Sequence, residues 1–112
     1  MQYQDKLELL EKSYVELELQ MADPVLISDG EAYRKAAKRR SDLEDVVSKY
    51  REYRVASKNL EEARGMKDET DPELRVMAEE EISRMEPVLA KFEEELKVLL
   101  LPKDPKIGRA HV

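Results

Sequence analysis

The sequence predicts an all-α fold: an elongated antiparallel three-helix bundle, or helical hairpin, with coiled-coil-like packing. Three observations point there. Apolar residues recur at alternating three and four spacing through most of the chain. Only three glycines and five prolines punctuate 112 residues. Charged and hydrophobic residues each make up 41%, a balance that suits thin helices with much surface better than a thick globular core. One Phe and no Trp leave a core of aliphatic, Met and Tyr side chains. The length fits one domain, expected over residues 1–105.

The spine is the segment 29–64, whose stripe of Tyr33, Ala36, Ala37, Leu43, Val46, Val47, Tyr50, Tyr53, Ser57 and Leu60 marks one side of a helix. At 1.5 Å per residue it is roughly 54 Å long, too long to persist in water unless other elements cover the stripe. Ser28-Asp29-Gly30-Glu31 has capping-box spacing, with the Ser28 hydroxyl accepting from the Glu31 amide and the Glu31 carboxylate reaching back. At the far end, Arg64 suits the carboxyl end of the helix dipole and Gly65 the stop.

A first helix, about 4–22, places Leu7, Leu10, Tyr14, Leu17 and Met21 at heptad spacing, with Leu9, Val15 and Leu19 widening the stripe. Asp23-Pro24 ends it, because proline disfavours helical geometry in the residue before it. Pro24 to Ser28 reads as a short connection, which makes the first two helices antiparallel neighbours. A third helix, 72–101, starts from a Thr70 or Asp71 cap with Pro72 in the first position and Glu73 at the amino-end dipole. Its stripe is Leu74, Ala78, Ile82, Met85, Leu89, Phe92, Leu96 and Leu99. Pro87 interrupts it; the lost amide and the crowded Ser83 carbonyl predict a kink costing about 3 kcal/mol. Residues 106–112 have no periodicity and are read as a tail, disordered or of foreign origin.

Several chemistries are excluded. Without cysteine there is no disulfide, thiolate nucleophile or thiolate metal site. The start, Met1-Gln2-Tyr3-Gln4-Asp5-Lys6, lacks the basic and apolar regions of a secretion signal, and no apolar run approaches membrane-spanning length; a soluble, cytoplasmic chain without membrane contact is expected. His111 has no ligating neighbour in Arg109, Ala110 and Val112. The runs Glu79-Glu80-Glu81 and Glu93-Glu94-Glu95 lack the Glu-x-x-His pairs of a carboxylate metal site and are read as solvated faces. Isolated Gly30, Gly65 and Gly108 make no phosphate loop, and no serine has a usable base. The expectation is no metal, no cofactor and no catalysis by this chain alone.

The net charge of −6 argues against bulk electrostatic binding of nucleic acid, but its distribution is uneven. There are two basic and six acidic residues from Met1 to Asp23, ten and eight from Asp29 to Arg64, and five and eleven from Gly65 to Leu101. The basic concentration is Arg34-Lys35-Ala36-Ala37-Lys38-Arg39-Arg40. The preferred reading pairs it with acidic residues of the flanking helices, with Arg40 packing along a neighbour and snorkelling. The functional reading is contact with phosphates or an acidic protein surface, for which Lys35, Lys38 and Arg39, pointing most nearly away from the stripe, are the candidates.

Particular motifs carry a resemblance: Ala22-Asp23-Pro24 with Ile27-Ser28-Asp29, Tyr33 to Leu43, Thr70-Asp71-Pro72-Glu73-Leu74-Arg75 with Met77-Ala78, and above all Leu99-Leu100-Leu101-Pro102-Lys103-Asp104-Pro105. Over Met1 to about Pro105 the chain resembles the N-terminal domain of bacterial-type class I peptide chain release factors, on the release factor one branch. The resemblance implies a role in translation termination at UAA and UAG stop codons. It also implies contact with the ribosomal stalk base, both its protein and its rRNA, and interplay with the class II release factor GTPase. The family's codon-reading Pro-x-Thr and its Gly-Gly-Gln loop, which serves peptidyl-tRNA hydrolysis, are absent; in the family both lie downstream of the position of Pro105. Lys106 to Val112 does not match the family's continuation. The rival reading is an unrelated helical scaffold or coiled-coil adaptor with a protein partner, and exposed heptad positions also allow self-association.

Overall fold

A computed structural model describes residues 2–102. Among them there are four helices and no strand: α1 (Gln4–Met21), α2 (Pro24–Ser28), α3 (Gly30–Gly65) and α4 (Pro72–Leu99). The all-α, elongated architecture expected from the periodicity is present. Its radius of gyration is 19.6 Å and its principal extents are 62 × 42 × 20 Å, against about 13 Å for the radius of a compact domain of this length. No helix among the described residues is long and apolar enough to cross a membrane.

α3 runs 36 residues without a break because two helices cover it from different sides. α1 lays Leu7 and Tyr14 onto Leu43, Val46, Val47 and Tyr50, and Leu96 of α4 closes the same cluster. Farther along, Ala56 and Leu60 pack on Leu89, with Ile82, Met85 and Phe92 around them. Ala36, Ala56 and Ala63 of α3 and Ala78 of α4 are buried as well. Small side chains at such positions let helix axes approach closely. The buried positions therefore shift around α3 along its length, from the α1 side toward the α4 side.

Several expectations are corrected. The link 24–28 is a one-turn helix: Asp23 accepts from the Val25 amide at 2.9 Å, with Pro24 in the first position. Ser28 belongs to that turn and donates its hydroxyl to the Val25 carbonyl at 2.7 Å. The cap of α3 is Asp29, which accepts from the Ala32 amide at 3.2 Å, so the Ser28–Glu31 capping box does not form. Pro87 does not interrupt α4, which is continuous from Pro72 to Leu99; flanking contacts of Met85, Leu89 and Phe92 hold it to α3. Leu9, Val15 and Leu19 do not widen the α1 seam but are exposed, as is Leu99. Asp71 caps α4, accepting from the Glu73 amide at 2.9 Å. His111 and the tail 106–112 lie outside the described residues.

Candidate functional site

The basic surface is built by the first three turns of α3. Asp29 fixes where the helix starts, and the helical repeat then sets Lys35, Lys38 and Arg39 on its surface, all exposed. Lys35 Nζ lies 3.6 Å from Glu31 Oε1, and both side chains are more than 70% exposed. Lys38 Nζ lies 2.6 Å from Asp42 Oδ1. Arg39 makes no ion pair among the described residues. Together with Glu31, Arg34 and Asp42 these residues line a shallow surface groove.

Arg39 stands four residues before Leu43 and seven before Val46, so it lies close to the apolar side of α3 and does not point most nearly away from the stripe. It is exposed because α4 ends at Leu99, and Leu99 shares a groove with Asp45 and Ser48 of α3. Beyond that point no described residue of α4 covers the side of α3 that faces α4 elsewhere.

The preferred pairing of this patch with the flanking helices is largely overturned. Among the described residues only Arg40 behaves that way: its guanidinium reaches Glu18 of α1 at 3.1 Å and lies 4.9 Å over the Tyr14 ring, and Glu18 raises its pKa. Lys35 and Lys38 pair within their own helix. Such exposed pairs are worth a few tenths of a kcal/mol, so an incoming phosphate or carboxylate displaces them at little cost.

The cross-helix ion pairs lie farther along α3. Arg54 grips both carboxylate oxygens of Glu11 at 2.6 and 2.8 Å, and Arg51 meets the same carboxylate at 2.8 Å. The Glu11 side chain is only 14% exposed. Its pKa is lowered, first by the Arg54 hydrogen bond, with burial opposing and Arg51 adding to the fall. Lys49 bridges Glu95 of α4 at 2.8 Å and Glu52 at 3.2 Å, and Arg64 reaches Glu86 at 3.3 Å. A signal for one of the α1 pairs exists in the sequence: with Leu7 and Leu10 at the a and d positions of the seam, Glu11 falls at e, where heptad helices place interhelical charges, whereas Glu8 falls at b and carries no such signal.

The glutamate runs are also not simply solvated. Glu93 is half-buried and accepts from the Tyr53 hydroxyl at 3.2 Å, Glu95 holds Lys49, and Glu81 pairs with Arg84. No group of three or more His, Cys, Asp or Glu among the described residues could hold a metal ion.

Comparison with known proteins gives the chain a family context. Residues 10–110 match the PCRF domain. A protein of Acidobacterium capsulatum named Peptide chain release factor 1 is 52% identical over 101 residues, which is 90% of this chain and 28% of that protein. Proteins of the same name from Maridesulfovibrio salexigens and Clostridium novyi are 47% and 43% identical, over 93% and 90% of this chain and 29% of each of them. The chain thus spans less than a third of the length of the curated relatives it matches. No solved structure matches it. With the family matched along nearly its whole length, the chain belongs to the PCRF domain family.

Proposed function

We propose that this chain acts as the N-terminal ribosome-interacting domain of a peptide chain release factor, in translation termination at UAA and UAG stop codons. The observation that carries the reading is the PCRF match over residues 10–110, joined by relatives named Peptide chain release factor 1 that align with about nine-tenths of the chain. On this reading the domain spans residues 1–105, and the family match carries on to residue 110. Codon reading and peptidyl-tRNA hydrolysis belong, on this reading, to the remainder of a whole factor, and no catalytic group is assigned here. The partners are the protein and rRNA of the stalk base, with interplay with the class II release factor GTPase, in the cytoplasm.

Lys35, Lys38 and Arg39 are the proposed ribosome contact. Their exposure, the weakness of their local pairs and the groove they share with Arg34 support this. Cations held so loosely exchange their partners for rRNA phosphates or acidic side chains with little desolvation.

Co-sedimentation of the chain with ribosomes tests it. A variant carrying Lys35→Glu, Lys38→Glu and Arg39→Glu is expected to bind about tenfold more weakly, with a shallower salt dependence, as lost phosphate contacts require. Equal binding by both proteins removes the patch from the account. Reading the encoding gene past Pro105 tests the wider assignment, which fails if no Gly-Gly-Gln sequence follows.

A further inference from the structure

Two sides of α3 are covered, one by α1 and one by α4, and among the described residues nothing covers a third flank. Val98 is two residues from the buried Leu96 and therefore about 200° around α4; Ser48 and Glu52 stand in the same relation to Tyr50 on α3. Between these back surfaces runs a groove of about 650 Å³, with Val98 and Leu99 on one wall and Asp45, Glu52, Glu94 and Glu95 about it. Through Glu52 it continues into a second groove lined by Val55, Met85, Val88 and Phe92. Val55 and Val98 are each 62% exposed, so apolar surface is open along about 21 Å of α3, from Asp45 to Asn59.

The charge of this flank says what fits it. Its two cations are already held: Lys49 by Glu95 and Glu52, 5.0 Å over the Phe92 ring, and Arg51 by Glu11 of α1. Asp45 and Glu94 make no ion pair among the described residues. The fold itself contains the matching solution on its other side. There α1 docks through an apolar seam while its Glu8 and Glu11 meet Arg51 and Arg54 of α3. On the third flank the acids are on the hairpin, so the complementary helix must bring the bases.

We propose that this flank of the α3–α4 hairpin is a docking groove for a basic amphipathic helix of a partner protein. The apolar stripe of that helix rests on Val55, Val88, Val98 and Leu99, and its lysines or arginines reach Asp45 and Glu94. The groove shares no lining residue with the one at Lys35, Lys38 and Arg39, which lies nearer the amino end of α3.

The test uses the isotopically labelled 112-residue chain and a synthetic helical peptide of about fifteen residues, with a leucine stripe flanked by lysines. Saturable shifts are expected at the amides of Ser48, Glu52, Val55, Val98 and Leu99. Asp45→Lys with Glu94→Lys should weaken binding about tenfold, and Val98→Asp should do the same, whereas Lys35→Glu should not. These substitutions fall on exposed side chains, and far-ultraviolet circular dichroism checks that each variant is folded. Equal binding of a glutamate-flanked peptide overturns the proposal, as do shifts confined to another surface. So does a doubled mass in light scattering that Val98→Asp returns to the monomer value, because the occupant is then a second copy.

Discussion

Tyr50 meets two requirements with one side chain. Its ring is 1% exposed in the seam between α1, α3 and α4, while its hydroxyl donates to the Glu8 carboxylate of α1. The Arg54 guanidinium covers the ring at 5.3 Å. Burial pushes the phenol up to about 12, and the bond to Glu8 adds to the shift. In the unfolded chain the same group titrates near pH 10. Above that value the unfolded state binds fewer protons than the folded one, so stability falls as pH rises from about 10 toward 12, by on the order of 2 kcal/mol. Tyr50→Phe should cost about 1 kcal/mol at neutral pH, through the lost hydrogen bond, and should flatten that alkaline fall. Urea denaturation of both proteins across an alkaline pH series measures it; an unchanged slope in the variant rules out the buried phenol as the cause. Glu11 has the opposite sign. Its lowered pKa contributes stability above the ordinary carboxylate range and loses it as pH falls through the folded value.

At the scale of elements, the three later helices all begin on aspartate. Asp23, Asp29 and Asp71 accept amide hydrogens at 2.9, 3.2 and 2.9 Å. Asp29→Ala and Asp71→Ala should each cost about 1 kcal/mol, while Ser28→Ala, which loses only an exposed bond inside α2, should stay within about 0.5 kcal/mol. Thermal melts of the three variants decide the point, and a larger loss for Ser28→Ala would return the cap to Ser28. The same region shows what sequence reading could reach. Heptads placed α1, and the spacing of Leu74 to Leu96 placed α4. The Asp29 cap was hidden because Ser28 and Asp29 are adjacent and equally suited, and the choice turns on whether Asp23-Pro24 merely ends one helix or also starts another. Ala56 and Ala63 are buried but do not stand out in the pattern, because alanine carries little hydrophobic signal until two helices meet there. The exposure of Lys35, Lys38 and Arg39 was legible, but the partners of α3's cations were not. Whether Arg40 or Arg51 meets an acid of α1 depends on the register between helices distant in sequence, which periodicity within one helix does not fix.

The whole molecule is a plank whose cohesion is unevenly distributed. Near Tyr50 three long helices share one cluster. Toward Gly65 only α3 and α4 remain, with Leu60, Ala63 and Ala78 buried along the hairpin's last stretch. Leu96 is fully buried at the point where α4 meets the α1–α3 pair, so its side chain is common to both halves of the architecture. Leu96→Ala removes core volume there and should destabilise the protein by about 2–5 kcal/mol. Val76, on the half-exposed side of α4, should tolerate Val76→Ala within about 0.5 kcal/mol. Because the cluster is shared, the Leu96 variant should show faster amide hydrogen exchange in α1 and the middle of α3 as well as in α4, all by a similar factor, as one cooperative unit requires. Amides near Gly65 and Pro72 should exchange quickly in both proteins, since opening that end exposes little apolar surface. Exchange followed by mass spectrometry on peptic fragments reads both effects. Acceleration restricted to α4, with α1 still protected at its original level, would mean that α1 and α3 form a stable pair on their own and that Leu96 does not join the two halves.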